Sequence, residues 1–408
     1  MSDHRAVEPL GPGINCQSAC DIVTKESIGL QLFEVLLDKT QHVYYTGQIV
    51  SGKVKLQLDS PISGMVVKLE CRGEGQVYFT NRSTGFRRKV SAQETYLHDV
   101  IYLTRSDSSD AEIRSDGFSF SFNLPEKLPC SFEGRYGRVR YSIKSTLEFT
   151  RNSGISSEPL AFTIAPVLDL NQHSLAPLPL SESNTKTFTG HLKPLSMSVF
   201  IPVRGFVPGQ TIPLKINLKN ESNVDVKKLR ILFKKVVVYR SADNIRKHKE
   251  IVVEIHQPVQ RNCEVYDCEF DVPAIPPSGR VCDLIDVCYT LKVEACVDIN
   301  EWYYRMFHKN LKIRMAIVVG TCPLRNYEDP IDSSDDPQSI SKKDKSVQWA
   351  ETVSKDNESK GCKYQSSRIY RSSKPERDDP VGENGDDAHV EAYAPMYRVY
   401  KFDGGIRG

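Results

Sequence analysis

The sequence predicts an all-β chain: two tandem β-sandwiches followed by a tail without fixed structure. Three observations carry this. Apolar side chains recur at every second position in one run after another. Runs from the first half reappear in the second. From about Tyr327 onward the composition turns polar and acidic. A length of 408 residues suits two or three domains.

Residues 1–27 are polar and carry Gly and Pro, which predicts a flexible arm. A first unit is expected over 28–166. Val54, Leu56 and Leu58 alternate with Lys55, Gln57 and Asp59. Phe118, Phe120, Phe122 and Leu124 alternate with Ser119, Ser121 and Asn123, and Val139, Tyr141 and Ile143 repeat the pattern. A period of two gives one buried and one wet face, as in antiparallel sheets. Gly134-Arg135-Tyr136-Gly137 reads as a turn between strands. Residues 167–187, with Leu175-Ala176-Pro177-Leu178-Pro179-Leu180, read as an extended linker.

A second unit is expected over 188–322. Ile212, Leu214, Ile216 and Leu218 share a face, as do Val287, Tyr289, Leu291, Val293 and Ala295. Cys288 and Cys296 then fall on the opposite face. Eight residues of strand (296 − 288) hold them roughly 26 Å apart, too far for a shared metal or a disulfide.

The halves read as copies. Gly47-Gln48-Ile49-Val50 is echoed by Gly209-Gln210-Thr211-Ile212, an offset of 162 (209 − 47). Leu124-Pro125 is echoed by Val272-Pro273, and Tyr141-Ser142-Ile143-Lys144 by Tyr289-Thr290-Leu291-Lys292, both at an offset of 148 (289 − 141). An apolar alternating face needs a second sheet to cover it, so each copy is expected to be a sandwich. The Cys–Trp–Cys pattern of immunoglobulin domains is absent.

Residues 323–408 form the tail. Its stretch 327–392 holds 16 Asp/Glu against 10 Lys/Arg with few apolar residues, which predicts disorder. Its end differs: Tyr393-Ala394-Pro395-Met396-Tyr397-Arg398-Val399-Tyr400-Lys401-Phe402 is rich in aromatics. Ala394, Pro395, Met396, Tyr397 and Tyr400 form a candidate partner motif, and a strand packing back on the body is the other reading.

The composition narrows the function. A net charge of +2 argues against a nucleic-acid binder. No stretch approaches the roughly 18 apolar residues of a membrane-spanning helix, and Met1-Ser2-Asp3-His4 opens no secretion signal. The 11 Cys are expected to be free thiols, with no metal or cofactor. No phosphate loop, nucleophile elbow or paired His motif suggests an enzyme. Three basic stretches remain: Arg87, Arg88 and Lys89; Lys227, Lys228, Arg230, Lys234 and Lys235; and Arg246 to Lys249. Arg87, Arg88, Lys89, Lys227, Lys228 and Lys235 form a candidate anionic or phosphate patch if they converge.

Four segments resemble the α-arrestins, also called arrestin-domain-containing proteins. They are Val43–Val54, Leu124–Tyr141 with its Leu124-Pro125-Glu126-Lys127-Leu128-Pro129-Cys130-Ser131-Phe132-Glu133-Gly134 core, Phe206–Ile212, and Asp286–Val293 with Ile317–Thr321. The resemblance implies two arrestin-type, immunoglobulin-like sandwiches and no catalysis. It implies an adaptor for membrane-protein cargo, a receptor or transporter, in protein transport, endocytosis or endosomal sorting. A cytosolic signalling scaffold is the alternative. The implied location is cytoplasmic, with peripheral attachment to plasma membrane or endosomes, and the anionic patch would meet a phosphoinositide membrane surface. Many such proteins recruit Nedd4-type ubiquitin ligases, whose WW domains read Pro-Pro-x-Tyr. This chain has Ala394-Pro395-Met396-Tyr397 instead, one proline short, which puts ligase recruitment in doubt.

Overall fold

The alternating runs fold into strands whose odd and even positions separate cleanly between core and solvent. The structure, a computed structural model, describes residues 28–327, 362–367 and 393–402, apart from positions 64, 84–85, 105–111, 114–115, 150–153, 189–190, 223, 243, 261, 299–309 and 326. The arm 1–27, with Cys16 and Cys20, and most of the tail 323–408 lie outside the described residues.

The first unit runs β1 (Leu30–Leu37), β2 (Val43–Tyr44), β3 (Ile49–Leu58), β4 (Ile62–Ser63), β5 (Met65–Ser83), β6 (Phe86–Tyr102), β7 (Glu112–Ile113), β8 (Asp116–Asn123), β9 (Phe132–Gly134), β10 (Gly137–Phe149), β11 (Gly154–Ser156) and β12 (Leu160–Ile164). One sheet has the order β1-β3-β8. A second has the order β2-β12-β10-β5-β6, with β9 and β11 also paired to β10, and β4 pairs with β7 in a small third sheet. Val54, Leu56 and Phe120 from the first sheet meet the same core as Val67, Leu69, Val139 and Tyr141 from the second. Fully burying each such side chain stabilises by about 1.5–3 kcal/mol.

The second unit runs β13 (Leu180–Lys186), β14 (Leu195–Ile201), β15 (Gly205–Phe206), β16 (Thr211–Asn220), β17 (Asp225–Ser241), β18 (Asn244–Pro258), β19 (Val265–Asp271), β20 (Gly279–Cys282), β21 (Ile285–Asp298) and β22 (Leu311–Val319). Its sheets have the orders β13-β14-β16-β19 and β15-β22-β21-β17-β18, with β20 on β21. β21 is continuous through Cys288 and Cys296, and both face away from the core, as the alternation requires.

The duplication extends to individual hydrogen bonds. Tyr141 Oη donates to Pro129 O at 2.6 Å, and Tyr289 Oη donates to Pro276 O at 2.6 Å. Gln48 Oε1 accepts from Tyr45 N at 3.0 Å, and Gln210 Oε1 accepts from Val207 N at 3.1 Å. Ser131 Oγ accepts from Ile164 N, and Ser278 Oγ accepts from Val319 N, each at 2.9 Å. In each unit a short strand joins in parallel, β2 on β12 and β15 on β22. Gly47 and Gly209 sit at φ +75° and +90°, where a Cβ is strained, so both turns call for glycine.

Two expectations are corrected. The linker is shorter than 167–187, because Leu180–Lys186 forms β13 and pairs along its whole length with β14. Only Leu180 of this strand is buried, so backbone pairing rather than an apolar face holds it. What remains includes a turn at Leu170–Gln172, capped by Asp169. The tail is also structured in two stretches: Cys362–Ser366, where disorder was expected, and Met396–Tyr400, where a strand packing back on the body was one of the two readings. β23 (Cys362–Ser366) and β24 (Met396–Tyr400) pair antiparallel. Buried aromatic rings on β24, Tyr397 and Tyr400, offset the entropy of ordering it.

Candidate partner-binding surfaces

The two units meet at the turn between β9 and β10. Tyr136 lies edge-on to Tyr239 and to His248 of the second unit, with ring centroids 5.7 Å apart in both cases. The guanidinium groups of Arg135 and Arg246 lie 5.4 and 5.3 Å from the Tyr136 ring centre. A Cβ at Gly134 would overlap Tyr239 Oη, and one at Gly137 would come within 3.1 Å of Tyr239 Cδ1. Both glycines therefore open the space that Tyr239 fills. Nearby, Ser241 Oγ donates to Ser91 O at 3.0 Å. Burial lowers the pKa of His248, helped by Arg135, Lys235 and Arg246 and opposed by Glu250.

The candidate partner motif lies across this assembly rather than away from it. Pro395, Tyr397 and Tyr400 are buried, while Ala394 and Met396 are half-buried. Tyr393 Oη is 2.8 Å from Thr163 Oγ1 and donates to Phe162 O at 3.0 Å. Tyr397 Oη donates to Ser131 O at 3.2 Å. Those partners belong to the first unit. Tyr400 instead engages the second: its N donates to Pro208 O at 3.0 Å and its Oη to Thr321 O at 2.6 Å. Its ring packs with Leu170, Ala176 and Val207. A Cβ on Gly209 would overlap Tyr400 O. Burial pushes the Tyr393 phenol up to about 12 and the Tyr397 phenol well above its usual value, so both are held neutral.

The six residues of the candidate anionic patch do not converge. Arg88 and Lys89 are exposed on β6, with Arg87 beside them on the same strand. They lie near Ser91, which meets the Ser241 end of β17. Lys227 and Lys228 sit at the other end of β17, about 43 Å away along thirteen residues (241 − 228). Lys235 points inward, is only 5% exposed, and pairs with Glu250 at 3.0 Å. The alternation of Leu229, Ile231, Phe233, Val237 and Tyr239 already placed Lys235 on the core face.

The same alternation puts Arg230 and Lys234 on the outer face, and cross-strand register adds three more cations. Arg230 is opposite Glu294, which is opposite Lys312; Leu232 is opposite Lys292, which is opposite Arg314. Glu294 alone meets Lys292, Lys312 and Arg230. Burial raises its carboxyl, and Lys292 and Lys312 outweigh that, so its pKa is lowered. Burial and the charges of Lys292, Arg230 and Lys249 together lower Lys234. Lys292 and Arg314 are directly opposed like charges, which weaken a sheet, and Glu294 beside Lys292 offsets this. Only Arg230 and Lys234 were legible, as even positions of β17.

Among the described residues no three His, Cys, Asp or Glu side chains gather as metal ligands would, and no helix is long and apolar enough to cross a membrane.

Residues 33–171 match the family model of the arrestin (or S-antigen) N-terminal domain, and residues 191–324 match that of the arrestin C-terminal domain. The chain belongs to the α-arrestin, or arrestin-domain-containing, family. It is similar to arrestin domain-containing protein 17 of Caenorhabditis elegans, 25% identical over 72% of each chain. It is also similar to arrestin domain-containing protein 4 of Homo sapiens, 24% identical over 74% of this chain and 73% of that one. Arrestin domain-containing protein 1 of Rattus norvegicus is 27% identical over 65% of this chain and 61% of its own length.

In this α-arrestin the segments that carry the family likeness are largely those that build the joint. Gly134 and Gly137 receive Tyr239, and Ser131 O receives Tyr397. Pro208 and Gly209 receive the backbone of Tyr400. The tail ribbon meets equivalent turns of both arrestin domains. Tyr364 Oη lies 2.6 Å from Tyr45 Oη at the first, and Tyr400 sits on Pro208 at the second.

Proposed function

We propose that the chain is a non-catalytic adaptor that binds membrane-protein cargo and serves its endocytosis or endosomal sorting. The observation that carries this reading is the presence of both arrestin domains, joined through buried aromatic side chains into one platform. Such a platform presents two sandwiches side by side, which suits recognition of an extended cytosolic segment of a receptor or transporter. The adaptor works in the cytoplasm, attached peripherally to plasma membrane or endosomes. Attachment runs through the outer face of β17, β21 and β22, where Arg230, Lys234, Lys292, Lys312 and Arg314 outnumber the carboxylates of Glu294 and Glu254. Each cation near an anionic phosphoinositide surface adds about 1 kcal/mol of salt-sensitive attraction. A WW-domain ubiquitin ligase is the partner class that Ala394-Pro395-Met396-Tyr397 would recruit once that strand is free.

Proximity labelling in cells, comparing the full chain with its Pro395→Ala, Tyr397→Ala form, tests this. Both forms should mark membrane and endosomal proteins, and only the unaltered chain should mark a WW-domain ligase. Membrane proteins absent from both lists would replace the adaptor by a cytosolic signalling scaffold. A ligase absent from both would remove that partner and leave the adaptor. For the membrane face, Lys234→Glu with Lys292→Glu should weaken binding to phosphoinositide vesicles by roughly 30-fold or more, from the two attractions lost. Unchanged binding would refute that face.

A further inference from the structure

The contacts of residues 393–400 describe a ligand in a site. Tyrosines stand at relative positions 0, +4 and +7, and each phenol ends on a backbone carbonyl of the body: Phe162 O, Ser131 O and Thr321 O. Backbone groups are read as well. Met396 N donates to Thr163 Oγ1 at 3.3 Å, and Tyr400 N donates to Pro208 O at 3.0 Å. Carbonyls accept from a phenol's hydroxyl and reject a phenylalanine, so these acceptors distinguish tyrosine from other aromatics. Gly209 has no side chain where the strand's backbone passes. At the first tyrosine, Arg140 lies 5.9 Å from the Tyr393 ring centre and also pairs with the buried Glu133. Neither arrestin domain holds the whole set of partners. The first supplies Ser131, Phe162 and Thr163, and the second supplies Pro208, Gly209 and Thr321.

We propose that the seam between the two arrestin domains is a peptide-binding site for an extended segment with tyrosines at 0, +4 and +7, and that residues 393–400 are its resident ligand. A segment of the same pattern supplied in trans competes for the seam. A tethered tail faces its site at an effective concentration of order millimolar, so the resident ligand masks the site without high intrinsic affinity.

The test uses the full chain carrying Tyr393→Ser, Tyr397→Ser and Tyr400→Ser, which empties the seam and leaves both arrestin domains unaltered. The probe is a fluorescein-labelled synthetic peptide of residues 390–404, read by fluorescence anisotropy. The variant should bind it saturably, and the unaltered chain about tenfold more weakly or less. A peptide with Phe in place of all three tyrosines should lose at least tenfold on the variant. Equal binding to both chains, or no saturable binding to a folded variant, would overturn the proposal. So would a Phe peptide that binds as well as the Tyr peptide. Should the variant fail to fold, the unaltered chain decides. Excess unlabelled peptide must speed hydrogen exchange at the Met396 and Tyr400 amides by displacing the tail, and unchanged exchange counts against the site.

Discussion

Gly134→Ala tests whether the signature turn is a joint between domains or only a turn. The Ala Cβ would overlap Tyr239 Oη and would lie 2.8 and 3.0 Å from the Phe132 ring, and both rings are fully buried. Overpacking of this kind costs about 1–3 kcal/mol. Gly134 is not among the positive-φ glycines, so Ala accepts its backbone and recovers about 0.4–1 kcal/mol through the unfolded chain. The clash therefore wins, with a net loss of about 1–2 kcal/mol. Introducing Tyr239→Phe removes the overlapping oxygen and leaves the 2.8 Å approach to the Phe132 ring, so in that background the loss should shrink to roughly half. Thermal unfolding of the four chains of the cycle reads this as a lowering of several degrees that the Phe background reduces by about half. An equal lowering in both backgrounds would falsify the assignment of Gly134 to the joint.

Three further outcomes follow from the same geometry. Lys235→Met removes the buried cation paired with the half-buried Glu250 and should destabilise by about 1–3 kcal/mol in thermal unfolding; an effect within about 0.5 kcal/mol would return Lys235 to the surface. His248 has a folded-state pKa below its unfolded value, so its contribution is present above about pH 6.5 and is lost as pH falls below that. Melting temperature should thus drop between pH 7.5 and 5.5, and drop less in His248→Gln; identical pH profiles would refute this. Tyr141→Phe and Tyr289→Phe each remove one phenol-to-proline-carbonyl bond and should each cost about 1 kcal/mol. A large difference between the two in urea unfolding would break the equivalence of the copies.

The period-two runs and the echoed Gly-Gln and Tyr-x-x-Lys segments made two sandwiches legible, because side-chain alternation is a local property of a strand. β13 was hidden because Ser181 to Lys186 carry almost no apolar residue, and only its partner strand makes it one. The tail ribbon was hidden because Ser366 and Met396 are thirty residues apart (396 − 366) and nothing in either segment announces the other. The aromatic cluster itself was visible, and so was the alternative that it packs on the body. The basic stretches misled because they were grouped by nearness in sequence. Parity would have sent Lys235 to the core and grouped Arg230 with Lys234, although Lys292, Lys312 and Arg314 join them only through strand register.

The strand β24 is held at both ends by different domains, at Thr163 through the Met396 amide and at Pro208 through the Tyr400 amide. Four residues separate those amides, about 13 Å in a strand, and a polypeptide stretches to no more than roughly 3.6 Å per residue. The segment is therefore a strut near its full length. It resists a load that pulls the two domain corners apart and offers almost nothing against one that pushes them together. A force that opens the seam must strip one of the two ends, and at the Tyr400 end it works against one backbone hydrogen bond, one phenol hydrogen bond and the ring's packing on Leu170, Ala176 and Val207.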